Sequence, residues 1–135
     1  MSARNEPRWV DRLVVESVHL DLLREHGGMR GPPDEGALET ALARPRHKWA
    51  YDEPDLSELA AAYGYALART HPFADGNKRV AFVTMAVFLA LNGLDLEADE
   101  EEVVAIMLLL AAGELEEAEL AAWIREHVVF MRPQT

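Results

Sequence analysis

The stretch that most constrains the fold is residues 79–91, in which Thr84 is the only polar side chain after Arg79. The run is shorter than the roughly 20 apolar residues that a membrane span needs. A helix that is apolar on all sides is normally buried in a protein core. Asn92 and Gly93 follow it and have the character of a helix stop. The sequence therefore predicts a buried central helix against which the rest of the chain packs.

Five further segments have helical patterns, and we predict no sheet. Gly27-Gly28 is expected to end the first of these helices, and Pro45 to stop the short second one, because proline breaks a helix interior. The expected architecture is all-α, a single compact domain over residues 1–135 with about six helices. The five segments are Trp9 to Glu25, Gly36 to Ala43, Ser57 to Arg69, Asp99 (as N-cap) to Ala112, and Leu115 to Val129.

Charge and composition exclude several classes of function. Thirteen Lys and Arg against 24 Asp and Glu give a net charge of −11. Non-specific binding to nucleic acid depends on neutralising phosphates, so we expect no direct nucleic-acid partner. The sequence has no cysteine, which excludes disulfides and thiolate zinc sites. No secretory signal is visible at the polar Met1 end and no run is long enough to cross a membrane, so we expect a cytoplasmic protein without a membrane partner.

The segment His71-Pro72-Phe73-Ala74-Asp75-Gly76-Asn77-Lys78-Arg79 lies at the start of the apolar helix. A helix N-terminus presents free N–H groups and the positive end of the helix dipole, which suits a phosphate. Gly76 lets the main chain approach a ligand closely, and Asn77 is expected to cap the helix through its side chain. The segment is therefore a candidate phosphate-binding turn.

Two cations in the first turn of this helix support that interpretation. The dipole disfavours Lys78 and Arg79 there, and a bound polyanion would remove the conflict. An ordinary Asp-Gly turn is the alternative. It would account for the glycine and the asparagine, but not for His71 and Asp75 together with both cations.

The segment resembles the signature of the Fic/Doc family, His-x-Phe-x-Asp/Glu-Gly-Asn followed by a basic pair, and Lys78 ahead of Arg79 is similar to its Doc (death-on-curing) branch. Pro32-Pro33 is a departure, since relatives often carry an arginine there. Further similarity runs from about residue 19 to residue 93, and is carried by Gly27-Gly28, Asp34, Gly36, Ala37 to Pro45, Asp55-Leu56, Ala60 to Tyr63 and Phe88 to Gly93.

The resemblance implies a compact helical fold that binds ATP with magnesium and transfers part of the ATP to a protein hydroxyl. It assigns His71 as the general base and Asp75 as the magnesium ligand. A metal between Asp75 and the phosphates would also relieve the repulsion between them. The residues that the resemblance assigns to ATP and phosphate binding are Phe73, Gly76, Asn77, Lys78 and Arg79.

The resemblance also favours one part of ATP as the group transferred. Relatives that transfer AMP usually have glycine at the position of Lys78 and a second arginine at that of Phe82. Both departures resemble Doc, which presents the γ-phosphate and acts as a kinase. We therefore expect a toxin that phosphorylates a protein Ser or Thr, with elongation factor Tu as the expected target, and so blocks translation. AMP transfer and a non-catalytic binding module remain as alternatives.

The basic and aromatic segment 44–51 has two interpretations. As a solvated loop, it would only pack its aromatic residues. As a flap over the active site, it would pair with an extended target peptide by main-chain hydrogen bonds, with Arg46, Lys48, Trp49 and Tyr51 as the candidate docking residues. The remaining histidines lack metal-ligand spacing, so we expect them to be surface or capping residues: His19, His26, His47 and His127.

Regulation is expected to act in trans. Self-inhibited members of the family carry a Ser/Thr-x-x-x-Glu-Gly/Asn helix, and Ser2 to Glu6 has the first part of that spacing, but Pro7 breaks the pattern. We therefore expect inhibition by a Phd-like antitoxin whose flexible tail folds on this protein.

Overall fold

The computed structural model describes residues 5–132, and its architecture confirms the all-α class. Within this range no helix is both long and apolar enough to cross a membrane. Ser2, the first residue of the possible inhibitory spacing, lies outside the described range. The elements between residues 5 and 132 are α1 (Arg12–His26), α2 (Glu35–Tyr51), α3 (Leu56–Thr70), α4 (Asn77–Leu91), β1 (Leu94–Leu96), α5 (Glu100–Ala111), α6 (Glu117–His127) and β2 (Val128–Phe130).

Helix α3 is the element around which the others pack, since it contacts α2, α4 and α6. It begins at a capping box, in which the Asp55 carboxylate accepts the Glu58 N–H at 2.8 Å and the Glu58 carboxylate accepts the Asp55 N–H at 3.2 Å. Its side chains are small on the surface that packs closely, and Gly64 leaves space that Met85 of α4 fills. The capping box defines where the helix starts, and so which residues face the core.

Helix α4 is buried on one face and half-exposed on the other. One face is fully buried and includes Val80, Met85 and Phe88. The other flank, with Phe82 and Val83, is only half-buried and lines a groove of about 420 Å³ between α1, α4 and α5. The predicted burial of this helix therefore holds for one face, whereas the other part of its apolar surface faces an open groove.

Helix α2 is longer than predicted, because Pro45 lies inside it and does not end it. A proline in a helix interior costs about 3 kcal/mol. Here its ring is buried, and the residues on either side are held from α6: the Glu117 carboxylate accepts hydrogen bonds from Arg44 at 2.5 Å and from Lys48 at 2.9 Å. These tertiary contacts hold α2 against α6 on both sides of the proline.

The helical course of α2 corrects both interpretations of segment 44–51, which assumed a loop. The N–H groups inside a helix are already bonded to carbonyls one turn earlier. The backbone at Arg46, Lys48, Trp49 and Tyr51 therefore has no free donors to pair with an extended peptide.

A two-stranded antiparallel ribbon is also present, contrary to the prediction of no sheet. It pairs β1 with β2, so that Leu94 lies opposite Phe130 and Leu96 opposite Val128. The sequence pattern extends α6 to Val129, but the helix ends at His127. The β-branched and aromatic residues that follow favour the extended conformation once a partner strand is present.

The segments on either side of the helical core are fixed by hydrogen bonds. The Tyr63 hydroxyl accepts the Val10 N–H at 3.0 Å and donates to the Val10 carbonyl at 3.4 Å, and burial raises the pKa of this hydroxyl. The Asn92 side chain accepts the Arg8 N–H at 2.9 Å. The carbonyl of the next residue, Gly93, accepts the Met131 N–H at 3.0 Å.

Candidate active site

The motif forms the connection between α3 and α4, and Asn77 closes it. The Asn77 side chain accepts the Phe73 N–H at 3.0 Å and donates to the Phe73 carbonyl at 2.9 Å. It was predicted to be the N-cap, but Gly76 has that position, with a left-handed backbone (φ 80°). The side chain thus stabilises the loop, and the first turn of α4 keeps its N–H groups free.

His71 ends α3 in a left-handed conformation, with φ 49° and ψ 59°. In residues 5–132 it is the only residue other than glycine with positive φ. Such a conformation costs roughly 1–3 kcal/mol and is concentrated at functional sites. The side chain is exposed and lies at the edge of a cavity. The strained backbone therefore presents an imidazole to an open site.

The cavity measures about 430 Å³ and collects most of the predicted site residues. Val80 N–H makes the first bond of α4, to the Gly76 carbonyl at 3.0 Å, so the N–H groups of residues 77–79 lack intrahelical partners. Lys78 and Arg79 are exposed, and neither pairs with a carboxylate of the described chain. The site therefore carries several free donors and two free cations. Its lining residues are His71, Ala74, Asp75, Gly76, Asn77, Lys78, Arg79 and Ala111.

Asp75 is held at the edge of this cavity by two main-chain donors. Its carboxylate accepts the Gly76 N–H at 2.9 Å and the Met29 N–H at 3.3 Å. Met29 belongs to the loop between α1 and α2, here called the 27–34 loop. The same loop also contacts the motif through Asp34, whose N–H donates to the Pro72 carbonyl at 2.7 Å. The loop that touches the motif is therefore residues 27–34.

Two of the predicted groups lie elsewhere. Phe73 is 5% exposed and belongs to the core, so its ring supports the loop from the core side and does not line the cavity. Lys48 and Tyr51 line a separate cavity of about 690 Å³ between α2, α3 and α6. Arg46 lies over the Trp9 ring, at 5.2 Å from its centroid.

His19 was missed by the sequence reasoning, which expected it at the surface or at a helix end. It is 7% exposed, and its Nε2 lies 3.1 Å from the Asp75 carbonyl oxygen. Its ring stacks on that of Phe73, with centroids 4.0 Å apart and an interplanar angle of 17°. No signal in the sequence spacing pairs residue 19 with residue 75, because the contact exists only once α1 packs against the motif.

Comparison with known proteins agrees with this geometry. The sequence profile of the Fic/DOC family matches residues 9–89, which include the motif and the elements that frame it. The chain is 34% identical over 110 residues to the protein kinase doc of Escherichia phage P1, an alignment that covers 81% of this chain and 86% of the phage protein. It is 43% identical over 75 residues to the toxin Doc of Mycolicibacterium smegmatis, covering 54% of this chain and 58% of that toxin. The chain belongs to the Fic/DOC family.

Proposed function

We propose that this protein is a cytoplasmic Doc-like toxin that transfers the γ-phosphoryl group of Mg-ATP to a Ser or Thr hydroxyl of a target protein. The observation that carries the proposal is the motif cavity, where His71, Asp75, Lys78 and Arg79 surround free N–H groups at a helix N-terminus. The name of the phage relative, protein kinase doc, supports the same reaction.

In this reaction the target's hydroxyl oxygen forms a bond to the γ-phosphorus, the bond from that phosphorus to the β–γ bridging oxygen breaks, and ADP leaves. His71 accepts the hydroxyl proton, for which a neutral imidazole is suited. The free N–H groups of residues 77–79, with Lys78 and Arg79, stabilise the negative charge on the phosphates. Arg79 can bind two phosphate oxygens at once, whereas Lys78 acts as a compact point charge.

Magnesium fits the residues present when it enters with the nucleotide. No group of three or more metal-binding side chains exists among the described residues, so the described chain supplies too few ligands for an all-protein site. Asp75 offers one carboxylate at the cavity, and Mg²⁺ is commonly held by one or two carboxylates together with substrate phosphates. When bound, the metal neutralises charge on the phosphates.

Phosphoryl transfer is favoured over AMP transfer by the side chains around the anion site. Lys78 adds bulk and charge where AMP-transferring relatives have glycine. Phe82 lies one turn further along α4 and lines the apolar groove, so it supplies no second guanidinium for a distal phosphate. We propose elongation factor Tu as the target, following the Doc resemblance.

The apolar groove supports the proposal of a Phd-like antitoxin. It runs between α1, α4 and α5 and ends at Lys78 and Arg79, two of the residues that line the motif cavity. An amphipathic helix could bury its apolar face here and place an acidic side chain against the two cations. Such a partner would cover the flank of α4 that the fold leaves open. Its apolar lining is formed by Leu22, Phe82, Val83, Val103, Val104, Met107 and Leu108.

Labelled ATP tests the proposed reaction directly. The purified chain is incubated with magnesium, elongation factor Tu and ATP labelled at either the α- or the γ-phosphate. We expect γ-label in the target, and a loss of at least about 100-fold for His71→Ala, the typical contribution of a general base. His47→Ala, an exposed histidine outside the motif cavity, should retain full activity.

The other outcomes separate the alternatives. Incorporation of α-label by the unmodified chain would replace the kinase assignment with AMP transfer. Incorporation of neither label, into elongation factor Tu or into any protein of a cell extract, would favour the binding module. If Lys78 determines the ATP pose, Lys78→Gly should lower γ-transfer and raise the share of α-transfer.

A further inference from the structure

We infer that His19 is a positioning residue for the motif, since it holds the main chain of Asp75 through its ring nitrogen and holds Phe73 through its ring face. The inference rests on the proposed function only for its effect on Mg-ATP. The contacts of His19 with Asp75 and Phe73 do not depend on any reaction. His19 belongs to α1 and lies outside the motif.

The hydrogen bond fixes the form of the imidazole. A backbone carbonyl can only accept, so the Nε2 that faces the Asp75 oxygen at 3.1 Å must carry a proton and donate it. The ring is almost fully buried, and its stacking on Phe73 leaves it little freedom to turn. His19 is therefore held in one orientation, with a proton on Nε2.

The position of the accepting carbonyl gives this bond its consequence. It belongs to the peptide between Asp75 and Gly76, and the N–H of the same peptide donates to the Asp75 carboxylate at 2.9 Å. Holding the carbonyl end therefore also orients the N–H end, and with it the carboxylate. Gly76, whose left-handed backbone starts α4, lies on the same peptide. His19 thus controls where Asp75 points when a metal and phosphates arrive.

A second effect comes through Phe73. Its N–H and carbonyl are both bonded by the Asn77 side chain, so a shift of the Phe73 ring would move the start of α4. His19 packs on that ring from α1. The two contacts of His19 therefore support the loop that carries the magnesium-binding candidate at two points, Phe73 and Asp75. The predicted consequence is weaker binding of Mg-ATP when either contact is lost, with proton acceptance by His71 unaffected.

Two substitutions separate the contacts. His19→Gln keeps an amide donor at about the same reach but removes the ring, whereas His19→Phe keeps a ring on Phe73 but removes the donor. Val15→Ala serves as the control, since Val15 is fully buried on the same helix and is not part of either His19 contact. It reports the effect of loosening α1 alone.

The first measurement uses the unmodified chain. Nuclear magnetic resonance of the labelled protein reports which His19 nitrogen carries the proton, and whether a coupling through the hydrogen bond joins Nε2 to the Asp75 carbonyl carbon. A protonated Nε2 with that coupling supports the inference. A ring protonated only at Nδ1 overturns it, whatever the variants do.

Calorimetry of ATP binding with and without magnesium is the second measurement. We expect His19→Phe to weaken the magnesium-dependent affinity by about tenfold, the loss that one hydrogen bond allows, and to shift the Gly76 amide resonance. His19→Gln should lose less affinity, and Val15→Ala should lower only the melting temperature. Wild-type affinity and an unshifted Gly76 resonance in His19→Phe would overturn the inference, as would equal losses in His19→Phe and Val15→Ala at equal melting temperature.

These measurements test the role of His19 separately from the proposed function. The protonation and Gly76 results require no transfer reaction and no bound nucleotide. If the unmodified chain transfers no label but the Nε2 coupling is present, the proposed reaction is wrong and the role of His19 in shaping the loop stands.

Discussion

The contact between the 27–34 loop and Asp75 depends on the absence of a side chain at residue 28. Gly28, in the 27–34 loop, has φ +129°, and a Cβ there would lie 3.0 Å from the Asp75 Oδ2 and 2.9 Å from the Leu23 side chain. The loop can therefore approach the motif carboxylate only because residue 28 is glycine.

Replacement of this glycine is expected to disturb Asp75 specifically. Gly28→Ala should lower the free energy of unfolding by at least about 1 kcal/mol, through the positive φ, and should reduce magnesium-dependent ATP binding as the carboxylate moves. Gly31→Ala is the matched control, because residue 31 lies in the same loop without a positive φ, and a Cβ added there would have no atom within 4 Å. Urea unfolding and calorimetry measure both effects. Equal behaviour of the two variants would show that the loop does not constrain Asp75.

The sequence pattern groups those residues of the candidate site that share a short segment. His71, Asp75, Lys78 and Arg79 lie on one turn, so their residue types and order are sufficient to group them. His19 could not be found this way, because its partner is a main-chain carbonyl 56 positions away. A carbonyl is present at every residue and leaves no mark in a sequence.

Secondary-structure elements were predicted well where local signals decide, and less well where packing decides. Helix α3 agrees with its prediction to within one residue at each end, because the capping box at Asp55 and the alanine-rich run act locally. The proline rule failed in α2, where Glu117 of α6 binds the helix on both sides of Pro45. The ribbon was missed because strands of three residues acquire their structure from each other, across the length of α5 and α6.

Asp55, at the start of α3, is expected to make the free energy of unfolding depend on pH in the acid range. Burial raises the pKa of Asp55, but hydrogen bonds from Arg125 and from the Glu58 N–H lower it by more, so the net pKa lies below its usual value. A carboxylate with a lowered pKa in the folded state contributes stability above its unfolded pKa of about 3.9, and loses it as the pH falls through the folded value. Asp55 should therefore stabilise the fold at neutral pH and not in strong acid.

Asp55→Asn tests this dependence, because asparagine keeps an oxygen to cap the helix but carries no charge. We expect the variant to be less stable at pH 7 by less than about 1 kcal/mol, since the side chain paired with Arg125 is 47% exposed. The difference should shrink as the pH falls below the unfolded pKa of about 3.9, and should disappear below the lower folded pKa. Asp95→Asn, at a carboxylate without an ion pair in the described chain, is the control. A difference from wild type that is constant from pH 7 to about pH 2 would contradict the expectation.

The molecule as a whole combines a strongly acidic composition with a cationic, partly apolar surface around the motif. Against a net charge of −11, Lys78 and Arg79 beside the apolar groove form a contrasting region of the surface. Helix α4 has almost no polar residues, yet one of its flanks is half-exposed. The apolar character of α4 could be predicted from the sequence, but the sequence could not show which flank of the helix stays open.

A charge placed in the groove is expected to separate inhibition from activity. Leu108 is 52% exposed and lines the groove but not the motif cavity. Leu108→Glu should therefore retain phosphoryl transfer, and should weaken inhibition by a co-expressed Phd-like antitoxin by about tenfold or more, since the buried carboxylate would be unpaired. Leu13→Glu, at a leucine 73% exposed outside the groove, should keep full inhibition. Growth on co-expression and transfer by the purified variants measure the two properties, and unchanged inhibition of Leu108→Glu would place the antitoxin elsewhere.

The contacts of the turn at Asn92 and Gly93 indicate where the chain could be circularly permuted. It receives Arg8 from the segment before α1 and Met131 from the segment after β2, so these two distant parts of the chain are neighbours in space. A short linker could join them, and new ends could be opened in the 27–34 loop at Gly31. Such a circular permutant would keep every helix intact. It would cut only the covalent path through that loop, leaving Met29 attached to α1 and Asp34 attached to α2.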